Sequence, residues 1–364
     1  MTDSDVQGDL ADGGGMRAML AAVLSLGAML IAGCGGDGGD SATSTSTSSS
    51  GGSSENIYAQ AYKAVNWGTT VSVSFPSSCE MTLTTTGQPN YKPNAYYLAP
   101  AMQSQTVVAY TALTDTPMAL ISYADVIEPS LRGSSVTINV CASKAAATTA
   151  ANLGAIGYLI SGTAMFNPYE MDANTPAAAD NASYTFTDST GLSQTAYFLD
   201  QCDSHSNGST WHAHGNPDCV TSQVDTSAGP SHIIGIALDG FPIYGGRDIN
   251  GNIIDVSQLD ACNGIASATP EFPDGAYHYV LPIGVNTKNA SMNCYSGTVS
   301  QAAMTAASKL ACNMKTMLAM MKQAQTSAAV AENRSAGTRV TVLSKPRSGS
   351  LWNGHRSYKQ SLIG

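Results

Sequence analysis

The sequence predicts a mainly β, sandwich-like single domain with two copies of one short motif, a C-terminal helix and disordered ends. Three observations point that way. Short alternating or wholly apolar stretches recur between Gly, Asp and Asn turn signals. A His/Cys pattern occurs twice, and both ends differ in composition from the middle. Of 364 residues, 43% are hydrophobic and only 12% charged, too apolar for a chain disordered throughout and long enough for one large or two ordinary domains. A net charge of −10 argues against nucleic-acid binding by the body of the chain.

The chain opens with an address. Met16 and Arg17 precede an apolar stretch, Ala18 to Ala32, that is too short to span a bilayer and ends in small residues. Ile31-Ala32-Gly33-Cys34 resembles a bacterial lipobox, in which the cysteine carries the lipid, so residues 1–34 read as a lipoprotein signal peptide. Residues 1–15 are acidic and Gly-rich, unlike a signal's first region, which leaves Met16 as an alternative start. Residues 35–55 are nearly all Gly, Ser, Thr and Asp and form a flexible tether.

The body, 56–298, reads as β. Val71-Ser-Val-Ser-Phe75 and Val136-Thr-Ile-Asn-Val140 alternate with the period of a half-buried strand. The apolar runs Gly154 to Phe166 and Ile233 to Leu238 read as buried strands. Asp239-Gly240 and Asn250-Gly251 are turns, the second expected to close a hairpin from Ile243 to Ile254. Residues 299–332, rich in Ala, Met, Lys and Gln without Gly or Pro, predict a helix, with Met314, Met317, Met320 and Met321 on one packing face. The last acid is Glu332. Six of the sixteen cations follow it, making 333–364 a basic, solvated tail.

The internal echo carries the chemistry. Asp200-Gln-Cys202-Asp-Ser-His205, Trp211-His212-Ala-His214 and Cys219 form one copy. Asp260-Ala-Cys262-Asn-Gly264-Ile265, Tyr277-His278-Tyr279-Val280 and Cys294 form the other. Superposed, His205 matches Ile265, His212 matches His278, and His214 matches Val280. With Gly235-Ile-Ala-Leu-Asp-Gly-Phe-Pro-Ile-Tyr-Gly245 and Phe166-Asn-Pro-Tyr169, the segment resembles the YHYH-domain family of exported bacterial proteins over about residues 65–298. Val280 stands where the namesake motif has its second His, and Ile265 where the family usually has His after Cys-Asn-Gly. The resemblance implies an exported domain and supplies no activity.

Export implies an oxidising compartment. With Cys34 assigned to the lipid, seven of eight cysteines remain, an odd number. Pairs Cys202–Cys219 and Cys262–Cys294, one per copy, fit the symmetry; Cys79–Cys141 would be the third, leaving Cys312 free. Sequence does not determine this connectivity, and Cys202-His205-His212-His214-Cys219 also permits a zinc site by spacing alone.

Residues i and i+2 of a strand share a face, so His212 and His214 can present two imidazoles to one point. His205 lies across a short turn as a third, and His278 is a fourth if the copies pack about a pseudo-twofold axis. Three or four imidazoles suit copper, zinc or nickel. Other readings stay open. The imidazoles could instead hydrogen-bond backbone or Asp groups and hold loops in place. Asp260 or Asp274 with His212 and His214 could make a metal-dependent hydrolase. Trp211, Tyr244, Tyr277 and Tyr279 could be the contacts of a glycan-binding module. Asp248 to Asp255 is faintly like a calcium loop. The expectation is a lipid-anchored, non-catalytic envelope protein whose partners are the membrane, through its anchor, and a transition metal, copper or zinc, or else a glycan.

Overall fold

Short strands dominate the described residues, some with alternating burial and others buried throughout, and the few helices are short. The computed structural model describes residues 55–304 apart from 102–104, 111–116, 171–172, 181 and 301. The expected signal peptide with Cys34, most of the tether, nearly all of the 299–332 helix with Cys312, and the basic tail lie outside the described residues. Residues 302–304 are helical, with the Met304 N–H donating to the Ser300 carbonyl at 3.0 Å.

A helix, α1 (Ile57–Ala64), is capped by the Asn56 side chain, which accepts from the Tyr58 N–H. Then follow β1 (Val71–Ser77), β2 (Glu80–Thr85), β3 (Tyr96–Pro100), β4 (Met118–Ser122), β5 (Ser134–Asn139) and β6 (Lys144–Ala150). Next come β7 (Ala155–Leu159), β8 (Ala164–Phe166), β9 (Ser183–Thr187), β10 (Ser193–Tyr197), β11 (Ser204–Ser206) and β12 (Trp211–Ala213). A one-turn helix, α2 (Asp218–Thr221), precedes β13 (Ile233–Ala237), β14 (Pro242–Tyr244), β15 (Gly264–Ser267), β16 (Ala276–Val280) and β17 (Cys294–Gly297).

The central sheet has eight strands in the order β11-β12-β8-β7-β13-β14-β16-β15. Its middle strands, β7 and β13, are buried at every residue, which explains their uninterrupted apolar runs. The sheet β1-β2-β5 packs on it, because Met81, Leu83, Val136 and Ile138 share one core with Ile156, Tyr158, Ile236 and Ile243. Tyr58, Ala59 and Tyr62 of α1 join that core. A four-stranded sheet, β4-β3-β10-β9, packs around Trp211 through Tyr97, Ala119 and Ile121. The mainly β architecture with sheets in layers is therefore the one expected.

Two local readings change. The run from Gly154 to Phe166 is not one strand: Gly162, at φ 83°, reverses the chain and splits it into the antiparallel pair β7 and β8. The Asn250-Gly251 turn forms, but the flanking residues make only an Arg247–Ile253 bridge. β14 instead pairs with β13 on one side and β16 on the other, because its apolar residues are needed inside the sheet. The Asp248 carboxylate accepts from the Asn250 and Asn252 N–H groups and the Asn252 side chain, so it caps this turn, and the Asp/Asn spacing is accounted for by the turn itself.

Three disulfides join Cys79–Cys141, Cys202–Cys219 and Cys262–Cys294; the last two are the pairs suggested by the duplicated motif, and the first is the remaining pair expected beside them. They point to an extracellular or periplasmic compartment. Among the described residues no helix is long and apolar enough to cross a membrane.

Asp239, in the β13–β14 turn, anchors the second copy: its carboxylate accepts from the Tyr279 hydroxyl at 2.5 Å and the Gly297 N–H at 2.9 Å. Both contacts are buried. Replacing Asp239 by Ala strands two buried donors, at roughly 1–3 kcal/mol each. Thermal unfolding is expected at least about 5 °C lower, whereas Ala at the exposed Asp274 should leave the midpoint nearly unchanged. Equal midpoints for the two variants would overturn this anchoring role.

Candidate metal centre

The hairpin β11–β12 builds the site. Asp200 starts it: its Oδ1 accepts the Cys202 and Ser204 N–H groups, folding the chain back at Asp203, which sits at φ 51°. Asn207 closes the turn by accepting from the Ser209 and Thr210 N–H groups, with Gly208 at φ 94°. The register then sets His205 directly opposite His212. His214, two residues on, shares the face of His212, and its N–H donates to the Asp203 carbonyl at 2.9 Å. The Cys202–Cys219 bridge ties this hairpin to α2.

The three imidazoles meet. Ring centroids are 4.5 Å apart for His205–His212, 5.1 Å for His205–His214 and 4.8 Å for His212–His214. One nitrogen from each ring can be chosen so that all three lie within 4.8 Å of one another. Three nitrogens about 2.0–2.1 Å from a tetrahedral ion would stand about 3.3 Å apart. The Nε2 atoms of His205 and His214 are already 3.1 Å apart.

The outer nitrogens of two of the rings are held by backbone. His212 Nδ1 donates to its own strand at the Thr210 carbonyl, 3.1 Å away, and His214 Nδ1 donates to the Asn167 carbonyl, 2.7 Å away. Each of these bonds places the proton on Nδ1 and leaves the Nε2 lone pair toward the cluster. Aromatic rings wall it. Phe166 stacks on His212 at 3.8 Å and meets His214 edge-on at 5.8 Å, while Phe198 meets His205 at 4.4 Å.

Electrostatics keep the rings neutral. Burial, and then the neighbouring imidazoles, push His205 and His212 well below the usual histidine range. Burial lowers His214 to about 4, against the opposing pull of its bond to Asn167. Two carboxyl groups of the same segment shift the other way. Burial raises Asp200 to about 7, and burial with the charge of Asp218 raises Asp203 to about 6. The cluster is thus a set of uncharged nitrogen donors, the form that binds transition ions.

His278 is not brought to this point. It lies on β16, five strands from β12 across the sheet, because the approximate twofold passes between β7 and β13 and sends the two copies to opposite flanks. Asp260 and Asp274 lie with that second copy, so neither can serve as base to His212 and His214. Asp260 accepts from the Cys262 and Gly264 N–H groups and the Tyr277 hydroxyl. The Cys2His2 alternative also fails, since Cys202 and Cys219 are bonded to each other. Trp211, Tyr244, Tyr277 and Tyr279 are 1, 1, 7 and 0% exposed and cannot stack on a sugar at the surface. Trp211 instead fills the core beside Tyr97 and Tyr123, with its indole N–H on the Tyr91 hydroxyl.

Phe166, Asn167 and Phe198 were missed by sequence reasoning as members of the site. Phe166 and Asn167 stood in a motif already noticed, but only the parallel pairing of β8 with β12, which places His212 beside Ala164, ties them to the histidines.

Fold and site together define a disulfide-bonded, mainly β exported-type domain with a buried three-imidazole cluster that could hold a metal ion. Residues 135–253 and 249–297 match the model of the family described as YHYH protein, so this segment is a YHYH domain. No curated protein and no solved structure matches the chain.

At pH 6 an unperturbed imidazole is mostly protonated. Nitrogen-15 NMR of the metal-free protein is expected to show His212 and His214 neutral at that pH, both as the Nδ1–H tautomer. A charged imidazole at either position would contradict the burial argument.

Proposed function

We propose that this protein is an exported, lipid-anchored binding protein that holds one transition-metal ion, copper or zinc, at His205, His212 and His214. The observation that supports this best is the convergence of three neutral, buried imidazoles, two of them locked by backbone carbonyls in the ligating tautomer. The donor set is all imidazole, which suits copper or zinc and offers little to magnesium or calcium. Three protein nitrogens leave a fourth position open.

Without metal, one contact satisfies part of the cluster. The His214 Nδ1 carries its proton, so its Nε2 accepts from a His205 Nε2–H across the 3.1 Å gap. Metal binding then requires only that the His205 proton leave Nε2. The cluster can therefore be stable empty and receptive at once. The tether and the Cys34 lipid would keep the domain at the envelope.

Calorimetric titration of the chelator-stripped protein with Zn(II) and with Cu(II) tests the reading. One ion per chain is expected, with Kd below about 10 μM for at least one of the two. Ala at His212 should weaken it by at least ~100-fold, more than the loss of a supporting partner; Ala at His278 should leave it unchanged. Absence of binding tighter than about 10 μM for both ions would sink the proposal.

A further inference from the structure

The eight-stranded sheet is a half-unit used twice, and the repetition extends beyond the His/Cys echo. Across the centre, Gly157 pairs with Ala237, Tyr158 with Ile236 and Leu159 with Gly235, a register symmetric about the middle pair. Each central strand turns antiparallel into its neighbour, β8 on one side and β14 on the other. Each neighbour then takes a parallel strand, β12 or β16, and each of those an antiparallel edge strand, β11 or β15. Following the pairings outward, Phe166 corresponds to Tyr244, His212 to His278, and His214 to Val280. His205 faces His212 as Ile265 faces His278.

The supporting details repeat as well. Asp203 and Asn263 both adopt left-handed backbone, at φ 51° and 64°, and each follows a carboxylate that accepts two N–H groups, Asp200 or Asp260. His278 Nδ1 donates to the Ala276 carbonyl at 3.0 Å, as His212 does to Thr210 at 3.1 Å. An aromatic ring lies against each, Phe166 at 3.8 Å and Tyr244 at 4.7 Å. Even the disulfide is duplicated, Cys202 and Cys262 each bonding a downstream cysteine.

From this we propose that the second half of the sheet is a silenced copy of the metal centre, in which the frame that aims three imidazoles at one point survives and Ile265 and Val280 occupy the two missing ligand positions. A hydrocarbon side chain offers no lone pair, so His278 is left as a single donor and the chain holds one ion rather than two. The longer β15–β16 connection has taken over the space differently. It brings in Glu271, whose carboxylate accepts from the Tyr244 hydroxyl and from His232 Nδ1, each at 2.8 Å. His278 keeps its backbone bond and its aromatic neighbour, which is why it persists as a core residue. The inference rests on the metal reading of the first half, and its test separates the two.

The experiment compares the full chain with the double variant Ile265→His/Val280→His. Both are dialysed to equilibrium against Zn(II) at about 100 μM, well above the Kd expected of the first centre, and assayed for zinc per chain in excess of the dialysate, with Cu(II) in parallel. The expected result is one ion for the natural chain and two for the variant, falling back to one when His278→Ala is added. A folded double variant that still holds one ion overturns the silenced-copy proposal while leaving the first centre intact. A natural chain that binds no ion overturns the metal reading and this proposal with it. Val280 is fully buried, so the single variant Ile265→His, at a half-buried edge position facing His278, serves if the double variant does not fold. It should add a second, weaker Cu(II) event of at least micromolar affinity, and its absence counts against the proposal equally.

Discussion

The register of one short hairpin governs the site. His205 can face His212 only because β11 and β12 are paired as they are. A slip of one residue would turn each imidazole to the opposite face of the sheet. That register is held from several directions at once. Asp200 and Asn207 set the two bends, and the Cys202–Cys219 bridge fastens the chain after the hairpin to the chain before it. On its inner side β12 is locked against β8, and through β8 to the fully buried strands of the centre.

Burial of three imidazoles without charged partners sets the electrostatic character of the cluster. A protonated ring here would lose its hydration and face two neighbours of the same kind, so the neutral form prevails. Carbonyl acceptors at Thr210 and Asn167 then choose which nitrogen keeps its proton. The same burial acts oppositely on Asp200 and Asp203, whose charged forms it disfavours. The three imidazoles are therefore uncharged although the chain as a whole is acidic, a setting in which an entering cation would be the dominant charge within the cluster.

Much of the site was legible because its determinants are short-range. His212 and His214 are two residues apart on a strand, and His205 is a single turn away, so local geometry nearly forces their meeting. The fate of His278 was not legible. Whether two copies of a motif face each other or back away depends on where the symmetry axis runs, and here it runs through the Tyr158–Ile236 pair at the middle of the sheet. The aromatic residues illustrate the same limit. Trp211, Tyr244, Tyr277 and Tyr279 have hydroxyl or indole groups that suit a binding surface, but their partners Tyr91, Glu271, Asp260 and Asp239 are distant in sequence and draw them into the interior.

Composition and spacing alone determined the β character, the duplicated motif, the positions of the turns at Gly240 and Gly251, and the proximity of three histidines. These depend on backbone periodicity and on neighbours within a few residues. Tertiary structure decided that Phe166 and Asn167 complete the cluster, that the apolar run from Gly154 doubles back, and that His278 stands alone. Those outcomes come from parallel pairings and crossovers between strands far apart in the chain, where no local pattern records which strand lies beside which.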